Sequence, residues 1–288
     1  MIHPWLLHNS ELRPSAERFF SPGQVGLLNG WGVFTTIRVA EGVLFAFPRH
    51  FARMKRDAEL MRVPFPFSPQ QMEAQLLRLV ERNGERDCTL RAAVVRNKGT
   101  MWQGPGIDSD YDLIAFTAPL KDWGESVRLH VVPQARHSRN RFAGTKVLSW
   151  AANLIWAEEA LLSGFDEALL LNEFDEVSEC TSANLFAVFG SDVVTPPLES
   201  SGCLPGVTRQ VLLEEVRISG LSICERTLTL PDLERADELF ITSSTRDLLP
   251  VREIEGLQIR FGSNVQNLLQ SAFEEHRRQY ITCTTRGY

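Results

Sequence analysis

Lysine is scarce in this sequence. Of 30 basic residues only four are lysines, Lys55, Lys98, Lys121 and Lys146, so arginine carries most of the positive charge and each lysine can be weighed alone. Basic runs are missing as well. With 36 acidic residues, a net charge of −6 and no interleaving of arginine with aromatics, the chain has nothing suited to gripping a phosphate backbone, and no nucleic-acid partner is expected. Apolar runs stay short of the ~20 residues that span a bilayer, and the opening MIHPWLLHNS lacks a basic segment leading into an apolar one. No membrane partner and a cytoplasmic location are expected. The five cysteines are odd in number, scattered and without a C-x-x-C pair, and the six histidines lack H-x-x-x-H or H-E-x-x-H spacing. Reduced thiols and no metal site follow from that pattern. Internal repeats and low-complexity tracts are absent too.

What is present is an ordinary globular composition, 43% hydrophobic and 23% charged. GVFTTIRVA followed by EG and VLFAF predicts a hairpin, and PRHFARMKRDAELMRV, with Phe51, Met54, Ala58 and Met61 at spacings of three and four, predicts an amphipathic helix. SPQQMEAQLLRLVERNG predicts a second helix, and CTLRAAVVRN and YDLIAFTA predict strands. Later come strand VRLHVVP, helix WAANLIWAEEALLSG, strand EALLLN, turn EFDE, strand NLFAVF, helix GVTRQVLLEEVRISG, strands LSICERT and ELFITSS, and a last helix from about Ser263 to Tyr280. The class is α+β with many antiparallel pairings. PLKDWGES mixes Pro, Gly and charge between two strands, which gives a small domain over 1–118, a linker over 119–126 and a larger domain over 127–288 carrying Lys146.

Lys55 lies beside Arg56 off the apolar stripe of its helix, Lys98 in the turn RNKGT and Lys121 in the linker; all three read as solvated charges. Lys146 differs, because RFAGTKVLSW surrounds it with small and apolar neighbours. A lysine taken out of water must be paired or lose its proton, and the neutral amine is the form that attacks carbonyls. On that stretch alone an ordinary lysine at a strand end is the commoner case. Three further stretches add to it. EVSECTSANLF places Glu179 among small residues with few local partners, where a protonated ring nitrogen would be a useful one; a turn carboxylate is the ordinary alternative. LPGVTR opens a helix whose free amides suit phosphate, or is a Thr-capped start. ELFITSSTRD sets Ser243, Ser244 and Thr245 after a strand, where hydroxyls and amides could hold an anion or cap a turn.

The ordered set HFAR, AGTK, GFDEALLLN, VSECTSANLF, TPPL, LPGVTR and FITSST resembles the fold-type IV pyridoxal-phosphate enzymes, the class IV aminotransferases, over most of the chain. That family includes branched-chain and D-amino-acid aminotransferases and 4-amino-4-deoxychorismate lyase. The resemblance implies a two-domain α+β fold with pyridoxal 5'-phosphate between the domains, a homodimer, and small-molecule amino-acid and 2-oxo-acid substrates. It implies that Lys146 holds the cofactor as a Schiff base and moves the proton, and that Glu179 binds the pyridine nitrogen. Arg53, the amides of Val207 and Thr208, and Ser244 would hold the phosphate. Phe34, Thr36, Arg96 and Thr245 are the substrate-side candidates, with Trp31 and Trp102 as further pocket walls and Arg91 or Arg136 as other carboxylate anchors. FTTIRV resembles the lyases, whereas RNKGTMWQGPG and KVLSWAANL lack the lyases' second arginine and Asn-Arg pair. An amino-acid aminotransferase is the expected activity, the lyase the second reading and a non-catalytic binding protein the third.

Overall fold

The computed structural model describes residues 1–99, 104 and 107–286. Its α+β chain divides into two compact units, the first made of Met1–Lys121, Thr145–Trp150 and the chain from Tyr280, the second of Asp122–Gly144 and Ala151–Gln279. Lys146 therefore counts with the first unit, although the sequence suggested the second domain, because its main chain hydrogen-bonds to a strand of that unit.

The first unit holds β1 (Trp5–His8), β2 (Glu11–Pro14), α1 (Val25–Asn29), β3 (Gly32–Ala40), β4 (Val43–Leu44), α2 (Phe47–Met61), α3 (Pro69–Asn83), β5 (Cys88–Arg96) and β6 (Tyr111–Ala118). The strands form one sheet in the order β2-β1-β6-β5-β3-β4, antiparallel throughout. Alternation along β3 sends Val33, Ile37 and Val39 into a core with Phe51, Met54 and Ala58 of α2 and Met72, Leu76 and Leu79 of α3. Burying each such side chain contributes roughly 1.5–3 kcal/mol. The expected second strand of the hairpin is shorter than VLFAF, since Ala46 turns left-handed at φ +53° and the chain enters α2 at Phe47. Ser68 caps α3 as a capping box with Gln71, and Gly84 ends it in the left-handed conformation.

The second unit holds β7 (Val127–Arg136), α4 (Ala151–Leu162), β8 (Glu167–Asn172), β9 (Val177–Cys180), β10 (Asn184–Phe189), β11 (Asp192–Thr195), α5 (Leu198–Ser201), α6 (Val207–Glu214), β12 (Ser222–Glu225), α7 (Leu230–Arg235), β13 (Glu238–Ser243), β14 (Asp247–Ile254) and most of α8 (Asn264–Arg286). Its sheet runs β12-β11-β10-β13-β14-β7-β8-β9. Three neighbour pairs, β11 with β12, β14 with β7 and β7 with β8, are parallel, a feature the sequence reading did not anticipate. The β7–β8 pair is parallel because α4 intervenes between the two strands, the usual helical crossover. Among the described residues no helix is long and apolar enough to cross a membrane, and no cluster of His, Cys, Asp and Glu could hold a metal ion.

Candidate functional site

In the first unit the geometry starts from an incomplete strand edge. On one side β5 pairs with β3 from Gly32 to Val39, but on the other β4 covers only Val39 and Ala40. Exposed strand groups need partners. Residues 146–148 supply them at the start of β3: the Phe34 N–H donates to the Lys146 carbonyl at 3.0 Å and the Leu148 N–H to the Gly32 carbonyl at 2.9 Å. The Lys146 N–H in turn donates to Asp57 Oδ2 at 3.0 Å, and Asp57 is almost wholly buried while Arg56 Nε holds its other oxygen at 2.9 Å. With its main chain fixed at both ends, Lys146 extends its side chain over Phe34, Nζ 4.7 Å from the ring centroid.

Phe34 and Thr36 point away from the core face. Arg91 stands directly opposite Thr36 on β5 and lays its guanidinium 3.8 Å from the same Phe34 ring. Burial lowers the pKa of Arg91, and no carboxylate among the described residues pairs with it. Phe34 thus contacts both Lys146 and Arg91, which reach it from opposite edges of β3, since residues 146–148 and β5 pair with different sides of that strand. On the core face, Thr35 Oγ1 receives Arg53 Nη2 at 3.0 Å and lies 2.7 Å from His50 Nδ1. His50, Arg53 and Asp57 fall at i, i+3 and i+7 on α2, so one buried polar stripe runs beside the apolar one.

In the second unit a tight turn and a bulge aim Glu179. Asn172 Oδ1 accepts the N–H groups of Phe174 and Glu176 at 2.9 and 3.0 Å, folding the EFDE turn between β8 and β9. Leu170 pairs with Glu179 but Leu171 with Val177, which makes Ser178 the extra residue of a β-bulge, a device common beside functional side chains. Glu179, 8% exposed, accepts Arg136 Nε at Oε1 and the Leu204 N–H at Oε2, both at 3.0 Å. The Leu204 carbonyl accepts Asn184 Nδ2 at 2.9 Å, and two residues on Gly206 begins α6 at a place where a Cβ would lie 2.0 Å from Asn184 Oδ1. One short segment therefore ties the carboxylate to the helix start. The amides of Val207 and Thr208 open α6, and no described residue accepts their hydrogens. Ser244 and Thr245 sit half-buried in the turn of residues 244–246 between β13 and β14. That turn is tied to the one after β9: Arg246 Nη2 meets Glu167 Oε2 at 2.9 Å and its Nη1 meets Ser182 Oγ at 2.9 Å, with Thr181 and Ser182 also donating to Glu167.

Several sequence expectations change. The partners of Glu179 come from distant parts of the chain, and Arg136 is its ion-pair partner rather than a free carboxylate anchor. Arg96 spends Nε on the Lys98 carbonyl (2.7 Å) and Nη1 on the Arg62 carbonyl (2.6 Å) while stacking on Trp31, so it braces a loop. Trp31 donates to the Met61 carbonyl and packs on the core, not on the Phe34 face. Trp102 lies outside the described residues. Thr35, His50, Asp57 and Asn184 escaped the sequence reading; the signal for the second and third was the polar spacing 50, 53, 57 within an otherwise amphipathic helix. Taken unit by unit, the groups present fit parts of a phosphorylated heteroaromatic aldehyde: the second unit holds amides at a helix start that suit a phosphate and an oriented carboxylate that suits a ring N–H, and the first holds an amine on a fixed main chain that suits an aldehyde.

The sequence profile described as amino-transferase class IV matches residues 32–254. A Methanocaldococcus jannaschii protein provisionally named a branched-chain-amino-acid aminotransferase is 32% identical over 234 residues, 80% of this chain and 81% of that protein. The D-alanine aminotransferase of Bacillus licheniformis is 29% identical over 277 residues, 93% and 96% of the two chains. Of solved structures, the Escherichia coli branched-chain amino acid aminotransferase superposes with a TM-score of 0.87 over 96% of this chain and 95% of its own, at 23% identity, a likeness of fold. A T.th. branched-chain amino acid aminotransferase, complexed with N-(5'-phosphopyridoxyl)-L-glutamate, gives 0.83 at 25% identity over 95% and 93%. That complex carries a pyridoxal-phosphate derivative.

Proposed function

The chain belongs to the class IV aminotransferases, and on that premise we propose that it moves an amino group from an α-amino acid to a 2-oxo acid with pyridoxal 5'-phosphate held at Lys146. The observation that carries this reading is Lys146 itself, its main chain clamped by Asp57 and β3 and its amine laid over Phe34, a ring that Arg91 also contacts.

When bound, the cofactor supplies an electron sink for the pair left at the substrate's Cα. Everything else falls to the chain. The Lys146 amine would take the proton from Cα and deliver it to C4′ of the cofactor, and the clamp on its main chain limits where that amine can go. Glu179 offers a carboxylate to the ring N–H, its oxygens held by Arg136 and the Leu204 amide so that it need not reorganise. Arg53, the amides of Val207 and Thr208, and Ser244 are assigned to the phosphate. Arg91 is assigned to the substrate carboxylate, in place of Arg96 and Arg136, with Phe34, Thr36 and Thr245 as substrate contacts. A homodimer is proposed from α4, whose apolar side chains Leu154, Ile155, Leu161 and Leu162 are all more than half exposed.

The test is an amino-transfer panel of L- and D-amino acids with 2-oxoglutarate or pyruvate, run beside release of pyruvate and 4-aminobenzoate from aminodeoxychorismate. Wild-type protein is expected to transfer amino groups, and borohydride treatment is expected to fix the cofactor's mass on Lys146. Lys146→Ala is expected to show neither. Formation of 4-aminobenzoate without any transfer would replace this reading with the lyase.

A further inference from the structure

Arg53 belongs to a buried relay of three side chains. Thr35 and His50 are each 1% exposed and Arg53 8%, in a layer otherwise made of Val33, Ile37, Phe47, Phe51 and Met54. Polar groups placed so deep must satisfy one another. A guanidinium can only donate, so Arg53 Nη2, 3.0 Å from Thr35 Oγ1, uses a lone pair of that oxygen. Thr35 keeps one hydroxyl hydrogen, and His50 Nδ1, at 2.7 Å, is the one other side-chain partner recorded for it among the described residues. The hydrogen therefore goes to Nδ1, which must be bare, and the ring proton sits on Nε2. The reverse arrangement, with Nδ1–H donating to Thr35, would leave the hydroxyl hydrogen buried without an acceptor.

Electrostatics agree with that tautomer. Burial first, and then the positive charges of Arg53 and Lys146, push the His50 pKa well below its ordinary value, so the ring is neutral and Nδ1 can accept. A protonated ring would offer a donor where Thr35 needs an acceptor. The order of donation thus runs one way, from Arg53 to Thr35 to His50.

We propose that Thr35 and His50 are positioning residues for Arg53: together they hold one edge of its guanidinium and so orient it toward the phosphate of the cofactor. The inference rests on the assignment of Arg53 to that phosphate. It goes further in naming Thr35, which the hydrophobic alternation of β3 turns toward the core, as the residue through which cofactor affinity is tuned. Thr36, the hydroxyl the sequence singled out, lies on the other face with Arg91.

The experiment compares the affinity of the full chain for pyridoxal 5'-phosphate and for pyridoxal, which lacks the phosphate, in wild type, Thr35→Val and Thr35→Ser. Valine keeps the shape and removes the hydroxyl; serine keeps the hydroxyl. Thr35→Val is expected to weaken the phosphorylated ligand roughly tenfold or more, the scale of one charge-assisted hydrogen bond, with pyridoxal unchanged, and Thr35→Ser to stay within about twofold of wild type. The 31P resonance of the bound ligand should shift in Thr35→Val alone. Should the valine variant not fold, the histidine 15N spectrum of wild type decides, with the His50 signal assigned by its loss in His50→Gln: a bare Nδ1 and protonated Nε2 at neutral pH support the relay, and the opposite tautomer or an imidazolium overturns it. Equal loss for both ligands, or no loss for either, in a wild-type background that takes up the phosphorylated ligand overturns the positioning role and leaves the cofactor reading intact. A wild type that takes up neither ligand overturns both.

Discussion

At the scale of single residues, Phe34 connects the chemistry. Its ring has the Lys146 Nζ at 4.7 Å and the Arg91 guanidinium at 3.8 Å, contacts each worth about 0.5–2 kcal/mol, whereas a charged hydrogen bond to Arg91, which no carboxylate among the described residues pairs, contributes about 1.5–3 kcal/mol. A substrate carboxylate would supply that bond. Arg91→Met keeps the length and the apolar stem but removes the charge. It is expected to raise KM for the amino donor roughly 10- to 100-fold, the loss of one charged hydrogen-bonding partner, with a smaller change in kcat. Steady-state kinetics at saturating cofactor reads this directly, and an unchanged KM would remove Arg91 from the substrate side. Lys146 was legible in the sequence because so few lysines compete with it and its neighbours are small. Arg91 was only one of several arginines, since strand alternation fixes the face of a side chain but not what stands across from it. Arg96 lies five residues along β5 and so has the opposite parity. It bends back onto main-chain carbonyls instead.

At the scale of elements, the second unit is organised by two turns that clasp each other. The turn after β9 presents Thr181 and Ser182, and the turn after β13 presents Ser244, Thr245 and Arg246; Glu167, 3% exposed, binds across both. Arg246 also stacks 3.7 Å over Trp123, inside the stretch read as a linker, so that stretch is anchored rather than merely connecting. Burial lowers the Arg246 pKa, while Glu167 opposes that shift, as expected of an ion pair kept from water. Removing one partner leaves a buried charge uncompensated. Arg246→Met is therefore expected to cost about 3–5 kcal/mol in chemical denaturation, against about 0.5 kcal/mol or less for Arg235→Met in the exposed Arg235–Asp232 pair. Similar values for the two variants would show that the clasp contributes no more than a surface pair. EALLLN was legible as a strand from its apolar run. The clasp was not, because a glutamate at the polar start of a strand looks solvated until its distant arginine is placed. The Ser178 bulge was equally hidden, since it depends on register with β8 rather than on local composition.

At the scale of the whole molecule, α4 poses the remaining question. AANLIWAEEALL has few polar residues, and a helix apolar on most sides belongs in a core. Yet only Ala160 is fully buried, while Leu154 is 57%, Ile155 53%, Leu161 65% and Leu162 82% exposed. The sequence made the helix legible from its Ala and Leu content but could not reveal this exposure, because the β7–β8 surface beneath it takes only one narrow face around Ala160, Trp156 and Phe165. An exposed apolar stripe of this kind, with Glu158 between its two halves, suits an interface with a second copy. The segment 145–150 leads directly into α4, so a second copy packed there would brace the chain immediately after Lys146. Light scattering of the wild type at micromolar concentration is expected to give twice the 32.5 kDa chain mass. The double variant Leu154→Glu/Ile155→Glu is expected to give the single-chain mass with its secondary structure retained, because charge on the apolar face opposes burial without disturbing the buried side of the helix. Cofactor affinity should fall with dissociation if the partner braces the lysine segment. A wild-type chain that runs at its single mass, or a double variant that still pairs, would show that α4 does not carry the assembly.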